Sequence, residues 1–148
     1  MFRGSFQIRL DEKGRLKMPA DFKHEIDSKY DGQFYLTSLD GEVIKLYPLQ
    51  EWQVIEDRAA RQPISNRAVQ KFLETTSYYG RTVAMDGQGR LTIAESLRNK
   101  FGLNGEIDLG VVGKTTHMEI RIWDEFSKRV EGNPLTPEDL DSLQQAGI

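Results

Sequence analysis

The feature that most constrains this chain is a repeat. Residues 10–19 read LDEKGRLKMP and residues 85–94 read MDGQGRLTIA, so Asp11, Gly14, Arg15 and Leu16 recur as Asp86, Gly89, Arg90 and Leu91, 75 positions on. Glycine takes a positive φ without steric cost, and an aspartate can accept hydrogen bonds from backbone N–H groups across a tight turn. The flanks agree in type. Ile8 and Leu10 before the first turn match Val83 and Met85, and Leu16 and Met18 after it match Leu91 and Ile93. Alternation with a period of two marks half-buried strands. Each copy therefore predicts strand, tight turn, strand.

The equivalence extends further. PADFKHEI opens with Pro19 and places Phe22 and Ile26 on one helical face; AESLRNKFG repeats this with Leu97 and Phe101, and Gly102 supplies a stop. A second hairpin follows in each half, around Asp40-Gly41 and around residues 113–116. Between the halves, LQEWQVIEDRAA predicts a helix ending near Gln62-Pro63, and Ser65 is placed to cap a second helix with Val69, Phe72 and Leu73 as its apolar stripe. Thr136 and Pro137 predict the start of a short, loosely held tail helix. The expected organisation is a first unit over 5–51, a helical connector over 52–79, a second unit over 80–126 and an acidic tail over 127–148. Each unit is small for an independent core, so the two should bury their apolar faces against each other.

Composition excludes several classes. The absence of cysteine removes disulfide frameworks and thiolate zinc sites. No apolar run reaches the ~20 residues of a membrane helix, and MFRGSFQIRL lacks the apolar centre of a signal peptide, so a cytoplasmic protein is expected. The net charge of −3 conceals a pattern. Residues 131–148 hold four acidic groups (Glu131, Glu138, Asp139 and Asp141) and no Lys or Arg, and removing them takes the balance to +1. The first 25 residues carry six basic side chains against four acidic ones. An acidic average can hide a basic patch.

The doubled Asp-x-x-Gly-Arg turn, each copy followed by a short helix and a hairpin, resembles the swapped-hairpin DNA-binding fold of AbrB and SpoVT. With MFRGSF at the start and LYPLQEW in the middle, the chain is similar, over about residues 1–126, to the MraZ family of transcriptional regulators. That resemblance implies an α+β, mainly β fold in which tandem AbrB-like swapped-hairpin units form an intrachain pseudo-dimeric β-barrel with flanking helices. It also implies a ring-shaped homo-oligomer, binding to double-stranded DNA at promoter direct repeats, and nucleoid-associated regulation, as a repressor, of the division and cell-wall gene cluster and of its own promoter.

The resemblance places the DNA-contacting surface on the turns, at Asp11 and Arg15 and at Asp86 and Arg90. The residues themselves divide these roles. Asp11 and Asp86 are expected to support the turn. A turn needs no Arg after its Gly, whereas a guanidinium fork suits phosphate or guanine, so Arg15 and Arg90 are assigned to DNA. Lys13, Lys17 and Arg3 join them as phosphate contacts, with Gly14 and Gly89 shaping the loops. Gln88 and Thr92 replace the two lysines in the second copy, and Ala94 replaces Pro19, which makes that turn the weaker binder. His24 and His117 have no partner at ligand spacing, so no metal or cofactor is expected. Trp52, Trp123, Tyr47 and Phe126 are expected in the core or a subunit interface. No nucleophile motif or acid–base set appears, which argues against an enzyme such as a hydrolase using Asp11 and Asp86. The alternative reading is an oligomeric antitoxin-like module that captures a protein partner through its tail.

Overall fold

A computed structural model describes residues 1–148. The first half contains β1 (Ser5–Leu10), β2 (Arg15–Lys17), α1 (Ala20–Lys29), β3 (Gln33–Thr37), β4 (Ile44–Pro48) and α2 (Leu49–Ala60), with α3 (Arg67–Tyr78) leading out of it. The second half repeats the order with β5 (Arg81–Ala84), β6 (Arg90–Thr92), α4 (Glu95–Lys100), β7 (Ile107–Gly113), β8 (Met118–Ile122) and α5 (Trp123–Gly132), and α6 (Pro137–Gln145) ends the chain.

The strands pair between halves as well as within them. One antiparallel sheet runs β1-β7-β8-β4-β3-β5, and β2 pairs with β6 in a separate two-stranded ribbon. Exchanging each strand for its repeat counterpart reverses the sheet order and leaves it otherwise unchanged. Register follows the same rule. Ile8 faces Leu109 and Val83 faces Phe34, while Ile44 faces Ile120 and Leu16 faces Leu91, so the two central pairs join a residue to its own counterpart. The turns are tied across in the same way: the Gly14 carbonyl accepts from Ile93 N and the Gly89 carbonyl from Met18 N, both at 2.8 Å.

One core holds the assembly. Leu10, Leu16, Met18, Phe22 and Ile26 from the first half share it with Leu91, Ile93, Leu97 and Phe101 from the second. Each such side chain contributes about 1.5–3 kcal/mol on burial, and the contribution exists only when both halves are present. Trp52 covers the sheet from outside, stacked on Tyr35 at 4.7 Å. Trp123 lies over Gly110, where a Cβ would stand 2.9 Å from its ring.

Several expectations are corrected. The strands flanking each Asp-x-x-Gly-Arg turn do not form a local hairpin; each joins a strand of the other half, and the apolar side chains of both halves meet in one core. The sheet does not close into a barrel: β1 and β5 remain its edges. Helical residues outnumber strand residues, so the fold is mixed α+β rather than mainly β. Asn66, not Ser65, caps α3, its side chain accepting from Val69 N at 3.2 Å. Thr136 caps α6 in a capping box with Asp139, yet the helix stays exposed along nearly its whole length. No helix is long and apolar enough to cross a membrane.

Candidate nucleic-acid interface

The two repeated turns have the same internal chemistry. Asp11 Oδ1 accepts from the N–H groups of Lys13 (2.9 Å) and Arg15 (2.8 Å), and Oδ2 accepts from Arg15 Nε at 2.7 Å. Asp86 does the same with Gln88 (2.8 Å), Arg90 (2.9 Å) and Arg90 Nε (3.0 Å). The Arg15 and Arg90 backbone N–H bonds, with the guanidinium contacts, hold both carboxyls below the ordinary aspartate range against the upward push of desolvation. Gly14 and Gly89 take the positive φ, at 78° and 75°. Each aspartate thus holds its turn and also fixes the arginine: Nε is occupied, and Nη1 and Nη2 bond nothing within the chain. The arginine is a partner of the turn, contrary to the expectation that the turn has no use for it.

The ribbon sets the wider geometry. Successive side chains on a strand point to opposite faces. Leu16 and Leu91 face the core, 0% and 1% exposed. The other face presents Arg15 and Lys17 from β2 and Arg90 and Thr92 from β6, with Lys17 directly opposite Arg90. Three of the four outward positions are cationic. Both arginines are paired with their turn aspartates, so Lys17 is the one cation of this face without a carboxylate partner in the chain. Lys13 is exposed at the tip of the first turn, where the second turn has Gln88.

Arg3 is not brought to this face. It precedes β1, beside the Phe2–Thr115 bridge at the opposite end of the strand from Asp11. At about 3.3 Å per residue the separation approaches 25 Å. Two other cations do reach the turns, each from the opposite half. Arg98 of α4 lies against Gly14 and donates through Nε to the Ile93 carbonyl at 2.9 Å. Its repeat counterpart, Lys23 of α1, lies against Gly89 and pairs through Nζ with Asp27 at 2.7 Å. Sequence reasoning missed both, although the offset of 75 residues that matches the turns also matches these two.

His24 is exposed on α1, and His117 is half-buried, stacked on Tyr47 at 4.3 Å. Burial, with Lys45 beside it, pushes the His117 imidazole down to about 4. Lys45 and Arg121 hold Glu119 at 3.2 and 3.0 Å on the central strands, a structural ion cluster away from the ribbon.

A family model described as "MraZ protein, putative antitoxin-like" matches residues 1–75 and 80–139. The chain is 45% identical to the Transcriptional regulator MraZ of Acidobacterium capsulatum and 43% identical to that of Koribacter versatilis, with 100% of both chains covered in each case. It is also 37% identical to the Transcriptional regulator MraZ of Yersinia pestis over 126 residues, which covers 84% of this chain and 80% of the relative.

Proposed function

The chain belongs to the MraZ family of transcriptional regulators, and from that membership we propose that it reads double-stranded DNA with the outward face of the β2–β6 ribbon. The observation that carries the proposal is the cationic face itself, in which Lys17 stands opposite Arg90 and each arginine offers two unoccupied Nη groups. A major groove about 12 Å wide admits a two-stranded ribbon. Arg15 is the base-reading residue: with Nε clamped by Asp11, its fork has one orientation left. Lys13 and Lys17 contact phosphates, and Arg98 adds a fixed guanidinium to the same side. Arg90, beside Gln88 and Thr92, makes the weaker contact. Arg3, at the other end of β1, is at most a contact to a separate stretch of backbone. Gly14 and Gly89 shape the turns, and Asp11 and Asp86 support them.

The wider reading follows the family. The repeat units, 5–51 and 80–126, are AbrB-like units that form a pseudo-dimer within the chain, joined by the connector over 52–79. The molecule works in the cytoplasm at the nucleoid, as a ring-shaped homo-oligomer on promoter direct repeats. It represses the division and cell-wall gene cluster and its own promoter.

The test is a fluorescence-anisotropy titration with the DNA upstream of the protein's own gene and with random DNA. A bidentate base contact is worth about 1–3 kcal/mol, so Arg15→Ala is expected to lose roughly 5- to 150-fold on the target and to bind both DNAs alike. Arg90→Ala should lose less. A folded Arg15→Ala protein with undiminished preference for the target would overturn the assignment.

A further inference from the structure

We infer that Asn104 is a site of spontaneous covalent modification: it converts to isoaspartate through the backbone nitrogen of Gly105, and the product is a substrate for carboxyl methylation by an isoaspartyl-specific methyltransferase. The inference goes beyond the reading of DNA and rests neither on it nor on self-association.

The reaction needs an asparagine amide that nothing holds, a free N–H on the next residue, and little bulk on that residue. The chain has four asparagines, and three of them fail. Asn66 caps α3, its side chain accepting from Val69 N at 3.2 Å. Asn99 lies within α4, where the helix fixes the main chain and the next nitrogen belongs to the bulky Lys100. Asn133 donates through Nδ2 to the Arg129 carbonyl at 2.7 Å, and Pro134 after it has no N–H.

Asn104 meets all three conditions. It stands in the loop between α4 and β7, outside any helix or strand, and Asn104, Gly105 and Glu106 are all exposed. The Gly105 N–H and the Asn104 side chain bond nothing within the chain. No atom lies within 4 Å of the point where a Cβ on Gly105 would stand, so the approach to its nitrogen is open. Only the ends of the loop are held. The buried Leu103 donates its N–H to the Arg98 carbonyl at 2.9 Å, and Ile107 is paired with Leu10. The aspartates followed by glycine are no rivals: Asp31, Asp40 and Asp86 are carboxylates that accept from backbone N–H groups, and a carboxylate carbon is a poor electrophile.

The Gly105 nitrogen attacks Asn104 Cγ, the Cγ–Nδ2 bond breaks, and the amide leaves as ammonia with the proton from the Gly105 nitrogen. A cyclic imide remains. Water opens it at either carbonyl, giving a hydroxyl to the carbon and a proton to the nitrogen, and nothing is oxidised or reduced. Opening at Cγ gives aspartate. Opening at the backbone carbonyl gives isoaspartate, in which the main chain runs through Cβ and Cγ and the α-carboxylate is free. Either product adds a carboxylate close in sequence to Glu106 and Asp108, which already share Arg9 at 3.5 and 3.0 Å.

The folded full-length protein is incubated at mildly alkaline pH. Samples taken over time are digested with trypsin, and others are offered labelled S-adenosylmethionine with an isoaspartyl methyltransferase. The peptide 101–114, in which Asn104 is the sole asparagine, is expected to give way to acidic products, with isoaspartate several-fold in excess over aspartate. Methyl acceptance should rise on the same time course, and Asn104→Gln, a change at an exposed position, should remove most of that rise. Urea-unfolded protein should convert at a rate within a few-fold of the folded one, because the folded loop already leaves the reacting groups free. Survival of Asn104 in the folded protein while the unfolded chain converts would overturn the inference. So would earlier conversion at Asn66, Asn99 or Asn133, or undiminished methyl acceptance in Asn104→Gln.

Discussion

Gly14→Ala should cost more stability than Gly89→Ala, although the two glycines hold the same place in the repeat. Both sit at positive φ, 78° and 75°, so either alanine carries the left-handed penalty of about 1–2 kcal/mol. The surroundings differ. A Cβ on Gly14 would overlap Arg98 Nε and stand 2.8 Å from Cδ and Cζ. Arg98 can retreat only by giving up its 2.9 Å bond to the Ile93 carbonyl, a further loss of about 1 kcal/mol. A Cβ on Gly89 would meet Lys23 Cδ at 3.0 Å and Cε at 3.1 Å, the middle of a flexible side chain that can swing aside. The expected costs are therefore about 2–3 and 1–2 kcal/mol, and for a chain of this size each kcal/mol lowers Tm by about 2–4 °C. Thermal unfolding followed by circular dichroism, at one protein concentration because the protein is proposed to self-associate, should show the first variant melting a few degrees lower. In an Arg98→Ala background the Gly14→Ala penalty should fall to that of Gly89→Ala. Equal losses in the two single variants, or an undiminished penalty without Arg98, would refute the cross-half contact.

DNA affinity should fall steeply with salt, with a slope near −0.9 per neutralised phosphate, and Lys17→Ala should reduce that slope by about 1 per engaged ribbon while weakening all sequences alike; an anisotropy series over salt concentration checks this. Deleting residues 131–148 removes four negative charges per chain and should tighten binding to random DNA in the same series. His117 is held near 4 against an ordinary 6.5, so it stays neutral in the fold while the unfolded chain takes up a proton. Stability is then full above pH 6.5 and declines by roughly 1–3 kcal/mol as pH falls towards 4, and His117→Gln should flatten that part of a pH series of urea melts. Gly80→Ala should cost about 3 kcal/mol in urea unfolding, because its Cβ would overlap Tyr35 Oη and the Thr76 carbonyl, which accepts from Tyr35 and Thr37 at 2.9 and 2.8 Å.

The parts legible in the sequence were those that local chemistry decides. Asp-x-x-Gly-Arg specifies a turn with a φ-positive glycine and a carboxylate receiving backbone N–H groups, and both turns have that form. Period-two alternation identified Leu16 and Leu91 as core positions, and the i, i+4 spacing did so for Phe22 and Ile26. Partner choice was another matter. Nothing around β1 says that its partner lies at Ile107–Gly113 and not across the adjacent turn, because the deciding term is the total apolar area buried by the interleaved halves. The cap of α3 moved by one residue because Ser65 and Asn66 are both good caps and only tertiary placement of the helix chooses between them. Arg3 looked like a neighbour of Arg15 because sequence proximity within an extended strand still spans its whole length. Arg98 and Lys23 carry no local signal that would mark them out on their helices. They contact Gly14 and Gly89 only because each helix sits over the other half's turn.

The pairing of β1 with β7 also orders events during synthesis. Leu10 leaves the ribosome long before Ile107, its partner in the sheet; at 5–20 residues per second the wait is roughly 5–20 s. Meanwhile β3, β4, α2 and α3 are close enough in sequence to assemble, and β5 joins β3 soon after. The first strand to emerge thus waits longest for its partner. For those seconds it presents an open edge and a half-apolar face, the combination that templates pairing with another chain. On a polysome carrying many copies of one message, neighbouring nascent chains would be the nearest source of a competing β7, so exchange of that strand between copies becomes a hazard set by translation rate.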